Sequence, residues 1–358
     1  MTQRMHRSHR VAGALVGSVV GDALAAPFAG GPPGQFSAHF PTPARGVHTE
    51  MCGGEDLEPG QFTEITQQAL LGARSLLDLE APDHGSTSLT TAAAVYAARS
   101  GQTEGAVFHE LIRVALDGGD PLSGTVQIDD GTTLDRAVHA VRRGRDFAEV
   151  MRLAIDLGGE TTAVAAAAGG LAGAIVGMAG IPMRWASAVH GRASGKDWRL
   201  GDLQELAATL DGRPQQPYNP GVIPRIGPKE VLPGIWAANL DGARHSPPDL
   251  AVVSLCRVGE PFPHEVHRKA YLTDDEYNTE LDAVLADVLD DIAALRDDGR
   301  TVLVHCHGGA SRTGLVLRAW LRRTSGMTAD EATAYIADHW PHLGLWNSSF
   351  TAALERVT

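Results

Sequence analysis

Thr301-Val-Leu-Val-His-Cys306-His-Gly-Gly-Ala-Ser-Arg312-Thr-Gly314, followed by Leu-Val-Leu-Arg-Ala-Trp-Leu-Arg-Arg323, decides how this chain is read. Thr301 to Cys306 is a short apolar run rich in β-branched residues, and it predicts a buried strand. Gly314 to Arg323 predicts a helix with a wide apolar face. Between them lies a loop with two glycines, whose successive backbone N–H groups can turn inward as an anion nest. The following helix adds the positive end of its dipole. Arg312 opens that helix with a planar fork suited to two oxygens of one phosphate. Cys306 begins the loop, and a positive pocket favours the thiolate form of a cysteine placed there. A thiolate aimed at a cradled phosphate is the arrangement covalent phosphoryl transfer requires.

Outward from this segment the pattern alternates. Leu250-Ala-Val-Val-Ser-Leu-Cys256 predicts a second buried strand. Asp282 to Leu295 predicts an amphipathic helix, with Leu285, Val288, Leu289 and Ile292 on one face. Strand, helix, strand, loop, helix is an α/β arrangement. Asp287, Asp290, Asp291, Asp297 and Asp298 read as a solvated acidic face without metal. The tract Gly212-Arg-Pro-Gln-Gln-Pro-Tyr-Asn-Pro-Gly221 breaks the pattern and reads as a linker. Before it, residues 11 to about 211 are rich in alanine, leucine and glycine at helical spacing, and an all-α domain is expected. The expected division is 1–212, a linker at 213–221, and 222–358.

The 358 residues suit one large or two moderate domains. The formal net charge of −13 disfavours nucleic acid and anionic membrane as partners. The cysteines are Cys52, Cys256 and Cys306, a sparse odd set that suits reduced thiols in the cytoplasm rather than a disulfide framework. No unbroken apolar stretch of about twenty residues predicts a membrane span. Arg4, His6, Arg7 and Arg10 precede the apolar run Val11–Val20, but Gly13, Gly17, Gly21 and Asp22 interrupt it, and no signal peptide is expected.

The Cys306-x5-Arg312 loop resembles that of the protein tyrosine phosphatase superfamily, above all the dual-specificity phosphatases. Val231-Leu-Pro-Gly-Ile-Trp-Ala-Ala-Asn-Leu240 resembles the opening strand pair of that family, and Met327 to Ala332 with Trp346 to Phe350 resembles its closing helices. The resemblance covers about 222–358 and implies a complete α/β phosphatase domain. It implies Cys306 as nucleophile and Arg312 as phosphate clamp. Thr313 would hydrogen-bond the departing sulfur, and His305 would be a buried neighbour. His307, Gly308, Gly309, Ala310 and Ser311 would bind phosphate together with Arg312. The chemistry also needs a general acid for the leaving group. The family places an aspartate about thirty residues before the cysteine; Asp274 and Asp275 lie 32 and 31 residues before Cys306. Either can serve, with a slight preference for Asp275. No cofactor is implied.

Gly13-Ala-Leu-Val-Gly-Ser-Val-Val-Gly-Asp22-Ala-Leu-Ala-Ala-Pro27, Gln61 to Leu70, Gly158 to Gly169, and Ile181-Pro182 with Trp185 resemble the ADP-ribosylglycohydrolase family, which is all-α and binds two magnesium ions. Where that family carries Thr-Asp-Asp-Thr, this chain has Thr63-Glu64-Ile65-Thr66; where it carries Asp-x-Asp-Thr, this chain has Glu160-Thr161-Thr162-Ala163. Ile65 and Ala163 offer no ligand atom, so no metal is expected. Asp22 is expected to be structural.

Two readings follow. One is a phosphatase acting on a phosphorylated protein or a small phosphate monoester, its substrate phosphotyrosine and/or phosphoserine/threonine. Its helical half would be inactive, a scaffold or a module for an ADP-ribose-like ligand. The alternative is a bifunctional enzyme that also removes ADP-ribose. A purely phosphate-binding module is disfavoured, because binding alone needs no nucleophile.

Overall fold

The computed structural model describes residues 5–54, 56–78, 102–123, 131–214, 221, 223–259, 261–275, 278 and 280–357. The expected linker at 213–221 falls largely outside the described residues. The chain forms two compact units. One comprises residues 1–44 and 48–216, the other residues 45–47 and 217–358.

The first unit contains α1 (Arg7–Ala25), α2 (Gln35–His39), α3 (Glu64–Asp78), α4 (Gln102–Leu116), α5 (Thr133–Arg143), α6 (Phe147–Asp156), α7 (Thr161–Val176), α8 (Met183–Ala186), strands β1 (His190–Ala193) and β2 (Lys196–Arg199), and α9 (Leu200–Leu210). Its centre is the antiparallel pair α1 and α7, and small residues let their backbones meet. A Cβ on Gly17 would lie 2.3 Å from the Gly169 carbonyl oxygen, and one on Gly169 would lie 2.2 Å from that of Gly17. Helices α4, α5, α6 and α9 pack around this pair. Because neighbours enclose α1, it is apolar nearly all round. Arg7–Phe28 is long and apolar enough by length and composition to cross a membrane, but 78% of its apolar window is buried in the protein, as in a core helix.

The unit is helical as expected and also holds one short element that the sequence reading did not name, the antiparallel hairpin of β1 and β2. Its turn residues, Ser194 and Gly195, both have positive φ, at 52° and 75°. That backbone twist matches the twist of paired strands and closes a two-residue hairpin.

The second unit contains β3 (Lys229–Leu232), β4 (Ile235–Asn239), α10 (Leu240–Arg244), β5 (Ala251–Ser254), β6 (His267–Lys269), α11 (Leu281–Asp297), β7 (Val302–Cys306), α12 (Ser311–Ser325), α13 (Ala329–His339) and α14 (Ser348–Arg356). The sheet order is β3-β4-β7-β5-β6. Only the β3–β4 hairpin is antiparallel; β7 pairs in parallel with β4 and β5, and β5 with β6. All five residues of β7 are buried, as expected for a central strand covered on both faces. Leu303 joins Ala238, Leu240, Val252 and Phe262 on one face. Helices α11 and α12 pack on β7.

The expected solvated acidic face is also corrected. Asp291 is wholly buried, with Arg268 at 3.3 Å and Arg45 at 3.5 Å. Asp290 meets Arg323 at 2.6 Å, and the Asp298 carboxylate accepts from the Val47 N–H at 2.8 Å. The cations come from distant parts of the chain, so helical spacing alone could not reveal them.

Candidate functional site

Cys306 ends the central strand, where the parallel strands β4, β7 and β5 deliver their carboxyl ends to one edge of the sheet. Ligand crevices of open α/β sheets form at such edges. The Sγ-bearing residue is buried at 2% exposure. The loop 307–310 then turns into α12, which begins at Ser311.

Three contacts aim the loop carbonyls away from its centre. The His307 carbonyl accepts from Leu240 N–H at 3.2 Å, the Gly309 carbonyl from the Trp340 indole at 2.7 Å, and the Ala310 carbonyl from Gly314 N–H within the helix. Gly309 needs its missing side chain twice over. Its φ is +72°, and a Cβ there would lie 2.9 Å from the Ala238 carbonyl oxygen. Carbonyls held on the outside leave the N–H groups of the loop and of the first helical turn for an anion.

Arg312 is clamped at one end. Its Nη1 donates to the carbonyls of Leu255 at 2.9 Å and Leu272 at 3.3 Å. Its Nε is buried with no hydrogen-bond partner among the described residues, 3.9 Å from Asp274 Oδ2. Thr313 Oγ1 is likewise buried without a hydrogen-bond partner among them. Buried donors left in this condition in a native fold call for an explanation, and a bound ligand is one.

The two candidate acids part company. Asp274 Oδ1 accepts from the Ser311 hydroxyl at 2.8 Å, so its carboxylate faces the loop. The Asp275 carboxylate accepts from Thr273 Oγ1 at 2.9 Å. The Asp275 carbonyl takes Asn278 Nδ2 at 3.0 Å and Asn347 Nδ2 at 3.1 Å. Of the residues singled out from sequence, Cys306, the 307–311 loop, Arg312, Thr313 and Asp274 converge. Asp275 is turned into the bracing of its own loop.

The histidines at the site contribute no charge of their own. Burial pushes His305 well below the usual imidazole range, to about 3, with Arg312 adding to the effect; burial and then Arg312 also lower His307. The positive pole is therefore Arg312 and the helix terminus. Cys256, read from sequence only as a reduced thiol, lies near this pole: burial pushes its thiol up to about 12 although Arg312 pulls it down. As a neutral thiol it is a poor rival to Cys306 as nucleophile.

The first unit holds a different cavity, about 650 Å³, lined among others by Glu64, Ile65, Glu160, Thr162 and Ala163. These are the positions where magnesium ligands stand in the resembled family, and they do not fit the ions. Asp22 is fully buried, and its carboxylate receives the Thr63 N–H and hydroxyl at 3.0 and 2.7 Å and the Thr66 N–H and hydroxyl at 3.2 and 2.6 Å. It caps the start of α3 instead of facing the cavity. Among the described residues no group of three or more His, Cys, Asp or Glu side chains is placed to hold a metal ion.

The profile of the ADP-ribosylglycohydrolase family matches residues 3–127 and 86–219, together more than half of the chain. That of the dual specificity phosphatase catalytic domain matches residues 255–356. Dual specificity protein phosphatase 5 of Rattus norvegicus is 29% identical over 119 residues, 31% of this chain and 30% of its own length. Dual specificity protein phosphatase 1 of Homo sapiens is 28% identical over 116 residues, 31% of this chain and 32% of its own. The chain thus spans under a third of the length of these curated relatives. Among solved structures, an ADP-ribosylglycohydrolase-related protein complex is similar at a TM-score of 0.44 and 26% identity, covering 59% of this chain and 99% of that one. Human DUSP28 is similar at 0.34 and 20%, covering 39% and 96%. The helical part matches over more than half of the chain, so the chain belongs to the ADP-ribosylglycohydrolase family, and its C-terminal part, residues 255–356, is similar to the dual specificity phosphatase catalytic domain.

Proposed function

We propose that the second unit is a cysteine-dependent phosphatase of phosphate monoesters on protein or on a small molecule. The observation that carries this reading is the buried Nε of Arg312, held without a hydrogen-bond partner among the described residues at a helix N-terminus beside Cys306. A phosphate dianion would take that donor together with the loop amides.

The chemistry follows from the residues. The Cys306 thiolate attacks phosphorus, forming S–P as the ester P–O bond breaks. Arg312 and the loop amides hold the three equatorial oxygens. Asp274, rather than Asp275, gives its proton to the departing oxygen, because its carboxylate reaches Ser311, the first residue of α12 directly after the loop. Water then attacks the phosphocysteine; Asp274 takes its proton, phosphate leaves, and Thr313 donates to the released sulfur. The loop carries no lysine or arginine between Cys306 and Arg312, which suits a monophosphate better than a heavily phosphorylated lipid headgroup. A reducing, cytoplasmic compartment suits the free thiol.

For the first unit we propose a non-hydrolytic role, as scaffold or as a metal-free module for an ADP-ribose-like ligand. The bifunctional alternative gains nothing from Ile65 and Ala163. Turnover of p-nitrophenyl phosphate tests the phosphatase reading. The full chain should turn it over equally with and without chelator, and Cys306→Ser should lose at least about a thousandfold in kcat while still binding tungstate. Turnover by the serine variant within tenfold of wild type would exclude the cysteine mechanism.

A further inference from the structure

The segment between α13 and α14 is tied to the site at three points. At its start the Trp340 indole donates to the Gly309 carbonyl of the phosphate loop at 2.7 Å. Leu343 then packs on the first turn of α12, where a Cβ on Gly314 would lie 2.3 Å from Leu343 Cδ1. At its end Asn347 Nδ2 donates to the Asp275 carbonyl at 3.1 Å, one residue beyond Asp274. Asn347 is itself fixed, since its Oδ1 accepts from the N–H groups of Ser349 and Phe350 at the start of α14.

Between these anchors the chain turns two large apolar side chains outward. Leu345 is 51% exposed and Trp346 68%, and among the described residues of this unit no other large apolar side chain is left exposed. The indole is not loose. A Cβ on Gly344 would lie 2.1 Å from Cζ3 of Trp346, so the ring rests against the Gly344 backbone and fills the space a side chain there would take. An aromatic surface that is wet but already held in place has apolar area to bury and little conformational freedom left to lose. Those are the properties of an interface anchor.

We propose that Leu345 and Trp346 form a ledge for an apolar side chain that neighbours the phosphorylated residue of a protein substrate. The proposal rests on the phosphatase reading and deepens it, choosing protein over a small molecule as the substrate class. The ledge lies within two residues of both the α12 anchor and the acid-loop anchor, so it borders the mouth of the site. An extended peptide advances about 3.3 Å per residue, and its neighbouring side chains are carried across that rim. A small ester fills the phosphate pocket and leaves the ledge bare. The adjoining loop presents the exposed residues Asp274 and Asp275, so the ledge favours an apolar neighbour over an acidic one.

The test uses the full chain and two peptide sets, one built on phosphotyrosine and one on phosphoserine, each otherwise of glycine and serine. Leucine is placed in turn one or two positions before or after the phosphorylated residue. In at least one position leucine should raise kcat/KM about tenfold over the parent peptide, mainly through KM, and glutamate there should not. Trp346→Ala should abolish that preference while kcat/KM on p-nitrophenyl phosphate changes less than about twofold, and Trp346→Phe should keep most of it. Gly344→Ala retains the indole but occupies the space behind its ring, so it should displace the ledge and lose the preference as well. Leucine peptides within twofold of the parent at every position, or a preference that survives Trp346→Ala, would overturn the proposal. So would a Trp346→Ala chain that loses activity on p-nitrophenyl phosphate and on every peptide alike, since Trp346 would then only brace the loop. Turnover of p-nitrophenyl phosphate with no peptide cleaved would overturn the ledge and leave the phosphatase reading standing; a wild-type chain that turns over neither would refute the phosphatase reading and the ledge with it.

Discussion

The two units treat an aspartate in opposite ways, one buried and one exposed. Asp22 in the first unit receives four hydrogen bonds from Thr63 and Thr66, so its capacity to accept is largely committed to the start of α3. Asp274 in the second accepts a single hydroxyl, from Ser311, and sits 3.9 Å from the Nε of Arg312. The first arrangement holds a fold together; the second keeps polar capacity for something absent from the chain itself. A functional centre is recognised by groups left partly unsatisfied at a structural cost. By that criterion Asp22 reads as structural, whereas Arg312 with its bare Nε is the group that calls for a ligand.

The comparison is broken most sharply at Arg312. Arg312→Lys keeps a charge but replaces the planar fork with a single nitrogen, so it loses the fixed spacing by which one nitrogen holds the Leu255 carbonyl while another faces phosphate. We expect kcat/KM on p-nitrophenyl phosphate to fall by about a hundredfold or more. Near-normal kinetics would reduce Arg312 to a structural tie.

A finer cut separates the neighbouring acids. Asp274→Asn should lower kcat by about a hundredfold and flatten the acid-catalysed limb of the pH profile, since an amide cannot donate a proton to the leaving oxygen. Asp275→Asn keeps the backbone carbonyl that Asn278 and Asn347 bind, and should stay within about threefold. Reversed magnitudes would transfer the acid role to Asp275.

Two histidines of the sheet, His267 of β6 and His305 of β7, make the second unit sensitive to acid. Burial holds their folded-state values at about 2 and about 3, below the unfolded imidazole value, so each ring adds stability that is complete above about pH 6.5 and is lost as pH falls toward the folded value. Between pH 7 and pH 5, His267→Gln should therefore lose about 2 kcal/mol less stability than wild type, measured by urea unfolding of the full chain. Equal losses would mean that His267 is protonated in the folded protein.

How far these features could be read in advance depended on the range of the interactions involved. The strand Val302–Cys306, the loop and the helix after it were legible because their signals are local: an apolar run, two glycines and a helical apolar face. The choice between Asp274 and Asp275 was not legible, since adjacent residues differ only in which way a bend turns them. The hydrogen-bonded chain from His267 through the Ser254 hydroxyl to His305 was also hidden, because its members lie 51 residues apart at the extremes and meet only through β5–β6 and β5–β7 pairing. The short strand His267–Lys269 carries too few apolar residues to announce itself. The buried pairing of Asp291 with Arg268 escaped for the same reason as the histidines: helical spacing shows which residues share a face but not what that face meets.

The smallest expected effect sharpens the first half of the comparison. Adding magnesium at millimolar concentration to the full chain should leave its melting temperature unchanged and release no ADP-ribose from a modified protein. The argument is one of donors. Magnesium demands near-octahedral oxygen ligands and is reluctant to give up water, so it needs carboxylates already aimed at one point. Here Ile65 and Ala163 line the cavity without a donor atom, Thr162 offers a neutral hydroxyl, and Asp22 is held by Thr63 and Thr66. Burial raises the proton affinity of Asp22 against the pull of those hydrogen bonds, which also works against a cation-binding carboxylate there. Ligands that bind only the folded state raise stability by mass action, so even moderate affinity would register as a shift in melting temperature. Thermal scans with magnesium, beside calcium as an ionic-strength control, decide the matter. A rise specific to magnesium would mean that Glu64 and Glu160 still gather an ion and that the cavity remains a metal site.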